Sequence, residues 1–238
     1  MATSEAAIAR TVFGAVNDPR ARTLASQLDA ELRPCSQAPA SWHVVYKLDE
    51  LQLVAPDGAL FKLEEDEIEQ RLVGFSRSAL VKACAAQRKP RILDALSGWG
   101  TDGLALAAFG CKVVCCELHP LVAMMNHARA LRMNVDVDCK HVDAMDYMRA
   151  CEGEFDVVYL DAMFPAHPKG ALPMKSMQVL AQLAVTCDLE MMLAQARQVA
   201  TDRVVVKQRR KYGTNLPKPS WTIEGKTIRF DVYQAAAN

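Results

Sequence analysis

From Arg91 onward the chain alternates short apolar runs with amphipathic segments, and that rhythm limits the possible folds more than any other feature. Arg91–Leu96, Lys112–Glu117, Val135–His141, Asp156–Leu160 and Arg203–Lys207 read as strands. Gly103–Phe109 opens a helix between the first two. Pro120–Met133 forms another, with proline in the first turn, where its missing N–H costs nothing. The interval between the last two of these strands is helical as well. At the end, Trp221-Thr222-Ile223, Glu224-Gly225-Lys226 and Thr227–Tyr233 read as a hairpin closing the sheet edge. Strands alternating with helices imply a parallel sheet covered on both faces. Such a sheet binds ligands outside the carboxyl ends of its strands. The predicted class is α/β: a doubly wound, mostly parallel, seven-stranded Rossmann-like sheet with a small N-terminal α+β extension.

The extension is assigned to residues 1–75 and the main domain to 76–238. Residues 1 to about 40 are Ala-rich and loosely patterned, which predicts short helices and loops. From Trp42 the pattern is extended, and Pro56-Asp57-Gly58 between two apolar runs marks a hairpin, since Gly tolerates the positive φ of the turn. The acidic run Glu64–Glu69 then leads into a helix predicted to end near Ala86.

Composition excludes several classes. Lys+Arg and Asp+Glu are equal at 28 each, so no global field draws the chain onto nucleic acid or membrane, and RNA binding would need a local patch. No run approaches the roughly 18 apolar residues of a membrane span, and the start lacks a signal-peptide pattern. The eight cysteines form no C-x-x-C pair and read as reduced, mostly buried thiols of a cytosolic protein. The five histidines show no ligand spacing, and no metal is expected.

The first strand runs into Asp94-Ala95-Leu96-Ser97-Gly98-Trp99-Gly100-Thr101-Asp102-Gly103, where Gly98, Gly100 and Gly103 match G-x-G-x-x-G. Glycines let backbone pass close to a ligand, and the following helix offers free N–H groups. Asp94 distinguishes the possible ligands. A carboxylate there suits the ammonium and sulfonium charges of S-adenosylmethionine and would repel a pyrophosphate. Glu117, ending the second strand, is placed to accept both ribose hydroxyls of an adenosine. Asp143, after the third strand, is either an adenine-amine contact or a helix N-cap.

The fourth strand ends Val157-Val158-Tyr159-Leu160-Asp161-Ala162-Met163-Phe164-Pro165, facing the same crevice. The lone pair of an exocyclic base amine is delocalised into the ring. An enzyme methylating it must hold its hydrogens so that the lone pair meets the methyl group. Asp161 is the candidate acceptor, Phe164 a stacking surface, and Pro165 a stiffener of the loop.

These tracts resemble the bacterial 16S rRNA (guanine-N2) methyltransferase family RsmJ. The similarity spans roughly residues 42–234 and is most specific at Tyr159–Pro165, with Glu117-Leu118, Arg203–Lys207 and Arg229–Tyr233 contributing. The resemblance implies a class I methyltransferase fold and methylation of a guanine amine in small-subunit rRNA. It also implies a cofactor site including Thr101, Asp102, Glu117, Leu118, Asp143, Ala144 and Asp161. The family's Asp-Pro-Met-Phe-Pro reads Asp-Ala-Met-Phe-Pro here. Its usual Arg is Thr101, small hydroxyl residues are replaced at Asp143 and Ala144, and its Arg/Gly-rich stretch survives only as Gly74–Ser78.

Lys207, Arg209, Arg210 and Lys211 follow the fifth strand beside Tyr212, with Lys169 and Lys175 beyond the fourth. They are expected at the substrate entrance, holding phosphates of ribosomal RNA or of a small ribosomal subunit. The alternatives to a guanine-N2 enzyme are a methyltransferase acting on another amine and a catalytically silent adenosyl-ligand-binding module.

Overall fold

The apolar runs between Arg91 and Arg209 are strands of one sheet, the central ones buried on both faces and the edge run Val137–His141 only partly buried. The chain is described from a computed structural model, in which residues 10–63, 66–151, 154–163, 174–210 and 216–236 are placed. The strands are β6 (Arg91–Asp94), β7 (Lys112–Glu117), β8 (Val137–His141), β9 (Phe155–Leu160), β10 (Ala200–Arg209), β11 (Trp221–Glu224) and β12 (Ile228–Gln234). Their order is β11-β12-β10-β9-β6-β7-β8. Among the described residues only β12 runs antiparallel to its neighbours, β10 and β11. Helices α4 (Thr101–Ala108), α5 (Pro120–Met133), α6 (Ala144–Ala150), α7 (Lys175–Leu183) and α8 (Leu189–Val199) connect the parallel strands.

Alternation along each strand assigns side chains to two cores. Ile92, Val113, Val157, Tyr159, Val205 and Phe230 lie on one face. Leu93, Val114, Val158, Leu160, Val204 and Val206 lie on the other. Hydrophobic residues on both faces are what a parallel sheet between helices requires.

A second sheet precedes this one, with order β2-β1-β3-β4-β5. Its strands are β1 (Thr11–Gly14), β2 (Glu31–Pro34), β3 (His43–Lys47), β4 (Glu50–Val54) and β5 (Leu60–Phe61). The hairpins read from Val44 to Phe61 are present, as antiparallel β3–β4 and β4–β5 pairs. Residues 11–34 differ from the expected helices and loops. β1 and β2 are parallel and joined by α1 (Pro19–Gln27), whose N-cap is Asp18. β1 lies between β2 and β3 and is wholly buried, so its four residues carry no alternation to reveal a strand. Val12, Val44 and Leu53 of this sheet share a third core with Leu121, Val122 and Met125 of α5 and with Trp99.

The helix expected to run from the acidic stretch to Ala86 is broken. α2 (Asp66–Leu72) stops before Gly74, whose φ of +71° suits glycine, and α3 (Ala79–Ala83) begins anew with Ser78 as N-cap. Phe75, in the remnant Gly74–Ser78, packs edge-on against Phe109 just past the end of α4.

Candidate active site

In the strand order, β6 lies between β7 and β9: the chain winds outward from β6 through β7 and β8, then crosses back to β9 and β10 on the other side. That is the switch point at which a doubly wound sheet opens a crevice. A cleft of about 460 Å³ lies there, lined by Asp94, Glu117, Asp143, Asp161 and the loop Ser97–Trp99 among others. Asp94, the last residue of β6, is paired in register with Cys115 of β7 and Tyr159 of β9.

The glycine loop is shaped by close contacts. Gly98 and Gly100 have φ of +51° and +74°, and a Cβ at Gly100 would lie 2.2 Å from Asn126 Oδ1. A Cβ at Gly103 would lie 2.6 Å from both Asp94 Oδ2 and Cys115 Sγ, so this glycine lets α4 approach the strands. Gly98 N–H donates to Glu117 Oε2 at 3.0 Å, and His119 N–H donates to Glu117 Oε1 at 2.7 Å. Trp99 belongs to the third core beside the cleft and donates from Nε1 to the Ser176 carbonyl at 2.9 Å.

Asp94 is 1% exposed and its Oδ1 has no hydrogen-bond partner among the described residues. Burial, then repulsion from Asp102 and Asp161, pushes its carboxyl well above the usual range. Glu117 is also raised by burial, moderated by the backbone N–H groups it accepts. Asp102, in the first turn of α4, is 6% exposed yet fully partnered. Its carboxylate accepts from the Tyr159 hydroxyl at 2.5 Å, from Lys207 Nζ at 2.9 Å, and from the Arg71 guanidinium. Burial would raise Asp102, but Lys207, Arg71 and Tyr159 outweigh it and hold the group at about 2.

Lys207 also donates to Asp161 Oδ2 at 2.7 Å. Asp161 follows β9 directly, and its side chain is 27% exposed towards the cleft it lines. Partial burial raises its carboxyl, Lys207 opposes the shift, and Asp102 adds to it. Burial would lower the Lys207 ammonium, but the two carboxylates raise it above its ordinary value.

Asp94, Gly98, Thr101, Asp102, Glu117, Leu118, Asp143, Ala144 and Asp161 all line the one cleft. Gly100 lies outside the lining and instead shapes the loop, through its contact with Asn126. Thr101 Oγ1 accepts from Arg129 at 3.1 Å, and Leu118 is 41% exposed at the rim. Asp143 is the N-cap of α6, its Oδ1 accepting from Met145 and Asp146 N–H. Lys207, expected at the substrate entrance, lines the cleft. It lies within β10 and is committed to two carboxylates. Arg210 is exposed and pairs with Glu224 at 2.8 Å. Phe164, Pro165, Lys169, Lys211 and Tyr212 lie outside the described residues. The sequence reading also missed Arg71, which stands in no motif, and the role of the Tyr159 hydroxyl, which turns onto Asp102.

These residues fit S-adenosylmethionine. Asp94 presents a buried oxygen with no partner among the described residues, Glu117 is an acceptor at the ribose position, and Gly98, with positive φ, leaves the cleft-lining loop without a side chain. Among the described residues no group of His, Cys, Asp and Glu could hold a metal, and no helix is long and apolar enough to cross a membrane.

Comparisons with known proteins agree with this geometry. The family model of SAM-dependent methyltransferases matches residues 45–235. The ribosomal RNA small subunit methyltransferase J of Pseudomonas aeruginosa is 38% identical over 178 residues, covering 69% of this chain and 68% of its own. The enzyme of the same name from Shewanella pealeana is 35% identical over 234 residues, covering 82% and 91%. A crystal structure of a SAM-dependent methyltransferase from Neisseria gonorrhoeae superposes with a TM-score of 0.71 at 25% identity, covering 96% of this chain and 97% of that one. With cleft, sheet order and relatives in agreement, the chain belongs to the ribosomal RNA small subunit methyltransferase J family of S-adenosylmethionine-dependent methyltransferases.

Proposed function

We propose that this methyltransferase modifies the exocyclic N2 amine of a guanine in 16S rRNA. The observation that carries the reading is Asp161: a carboxylate at the end of β9, inside the cleft, held by Lys207 and two strand-end residues from the buried Tyr159. S-adenosylmethionine, when bound, supplies an electrophilic methyl group. Asp161 accepts a hydrogen of the target amine and so turns the nitrogen lone pair towards that group. As the amine is methylated, the proton leaving the nitrogen passes to the Asp161 carboxylate. The Asp94 carboxylate and the Glu117 acceptor would hold the cofactor's cationic and ribose parts. Thr101, Leu118, Asp143 and Ala144 line the same cleft. Phe164 is assigned the stacking role and Pro165 the stiffening role from the sequence alone.

Residues 1–75 are taken as an extension and 76–238 as the methyltransferase domain. The partner is ribosomal RNA or the small ribosomal subunit, which places the enzyme in the cytoplasm. Arg209, Arg210 and Lys211 remain the proposed phosphate contacts. Lys207 leaves that set because its ammonium is already held by two carboxylates. Labelled S-adenosylmethionine incubated with 16S rRNA and with small subunits, followed by nucleoside analysis, should yield N2-methylguanosine. Label on another nucleoside or on protein would refute the assignment. Reversing Arg209, Arg210 and Lys211 to Glu should depress RNA methylation while leaving cofactor affinity unchanged. Each lost phosphate contact should reduce the salt slope by about one unit or slightly less.

A further inference from the structure

The cleft holds more acid than it needs for one ligand cation, and most of that acid is organised around a single amine. Lys207 reaches Asp102 at 2.9 Å and Asp161 at 2.7 Å, and Asp102 is itself fixed by Tyr159 and Arg71. The charged and titratable groups facing Lys207 are therefore Asp102 from α4, Asp161 beyond β9, Asp94 from β6, Tyr159 from β9 and, through Asp102, Arg71 from α2. On the other edge, β12 places the uncharged Phe230 opposite Lys207, while Arg229 and Asp231 pair with each other.

We propose that Lys207 is a positioning residue for methyl transfer, anchored by Asp102 and fixing the Asp161 carboxylate towards the target amine. The proposal rests on Asp161 as the group that takes the amine proton. A lone strand-end carboxylate swings about two torsions, and each orientation lost from the productive set lowers the rate. Asp102 has three partners, so its lysine cannot follow a moving Asp161. Lys207 keeps all its protons throughout. Its charge keeps Asp161 able to take the proton from the nitrogen, which then passes to water. Asp102, by the same reasoning, acts through Lys207.

Four proteins test this: parent, Asp161→Ala, Lys207→Gln and the double variant, with Lys207→Arg as the charge-conserving control. Binding of S-adenosylhomocysteine is measured by calorimetry and single-turnover methylation across pH. Lys207→Gln should bind the ligand within about threefold of the parent and lower the transfer rate roughly 10²-fold, in the range for a positioned proton acceptor. Loss of the neighbouring cation raises the Asp161 pKa, so the acid limb of the rate profile should move to higher pH. Lys207→Arg should fold, keep the acid limb in place and recover at least about tenfold over Gln. In the Asp161→Ala background the Gln change should alter the rate by less than about threefold, because the residues act as a unit. A parental rate and profile for Lys207→Gln overturns the proposal, as does an equal loss in both backgrounds. If Lys207→Gln does not fold, a shifted acid limb in Lys207→Arg overturns it. Asp161→Ala at the parental rate removes the reading of Asp161 itself, a result separable from the others.

Discussion

Two walls of the same cleft treat their acids in opposite ways. On the wall of β6 and β7, Asp94 is buried with an oxygen that nothing among the described residues satisfies, and its carboxyl is raised. On the wall of α4, β9 and β10, Asp102 is just as buried, has three partners, and is held at about 2. Burial acts upward on both, so the partners alone account for the difference. An acid left unpaired in a cleft is set to receive a cation from outside. An acid paired internally serves the geometry of its neighbours. Under the proposed function the first wall serves binding and the second chemistry.

The largest expected effect lies on the second wall. Asp161→Ala should leave the fold standing, since a partly exposed residue past a strand end contributes little to the core. It should lower methyl transfer by roughly 10²–10⁴-fold, with cofactor affinity little changed. Asp161→Asn keeps an acceptor oxygen but loses the charge that takes up the proton, and should fall between Ala and parent. Rapid-quench kinetics on the folded variants decides it. Parental transfer by Asp161→Ala would leave the chemical wall without its acceptor, and Asp94 would be the next residue to test.

The first wall predicts the reverse split. Glu117→Ala should weaken S-adenosylmethionine by about 1.5–3 kcal/mol, the range for a hydrogen-bonded charged acceptor. The transfer rate at saturating cofactor should stay near the parent. Some of the lost affinity will come from the loop, because Glu117 also accepts from Gly98 N–H. Calorimetry against S-adenosylmethionine and its demethylated product separates the ribose contact from chemistry. A change confined to kcat would erase the distinction between the walls.

The two walls were not equally legible. Asp94, Glu117 and the three glycines announce themselves because they sit at strand ends, where apolar periodicity stops and the exceptional residue is conspicuous. Asp161 was visible for the same reason. The carboxylate partners of Lys207 were not legible because Lys207-Gln208-Arg209-Arg210-Lys211 reads as one basic run. The strand in fact continues to Arg209, and alternation sends neighbouring side chains to opposite faces. Counting that alternation from Val205, which shares its core with Tyr159, would have turned Lys207 towards the Tyr159 face. Arg71 had no such signal. It approaches Asp102 from a short helix far away in sequence, a contact set by packing rather than by any local pattern. The parallel strands Thr11–Gly14 and Glu31–Pro34 were hidden by their brevity.

The walls should also differ in their response to pH. Asp102 is depressed from 3.8 to about 2 in the folded protein. Its contribution is therefore present above about pH 4 and is lost as pH falls through about 2, and is on the order of 2 kcal/mol. Asp102→Asn should flatten the acid limb of a stability profile measured by urea unfolding. Asp94 has the opposite sign. Its raised carboxyl favours the fold when protonated and opposes it as pH rises through the shifted value. A ligand cation reverses that penalty, so S-adenosylmethionine should bind with proton release and more tightly as pH rises. Asp94→Asn should abolish that pH dependence. If both variants shift the same limb in the same direction, the contrast between the walls fails.

The smallest effect concerns Asp143, where a cap and a ligand contact compete for one carboxylate. Its Oδ1 already accepts from Met145 N–H at 2.8 Å and Asp146 N–H at 3.1 Å, so α6 depends on it whether or not a ligand does. Asp143→Ala should destabilise the fold by about 1 kcal/mol through the lost cap. That variant alone settles nothing about binding, since a frayed α6 would also disturb Ala144 and Met145 in the cleft wall. Asp143→Ser separates the roles. Serine caps a helix nearly as well as aspartate, so stability should return to within a few tenths of a kcal/mol of the parent. Its hydroxyl is shorter by one atom and uncharged, and cannot cap the helix and reach an adenine amine together. If Asp143 holds that amine, the Ser variant should bind S-adenosylhomocysteine about five- to tenfold more weakly while melting like the parent, the loss expected for one hydrogen bond. Parental affinity in the Ser variant would make Asp143 a helix cap alone, and would confine adenosine binding on this wall to Glu117 and the loop beside it.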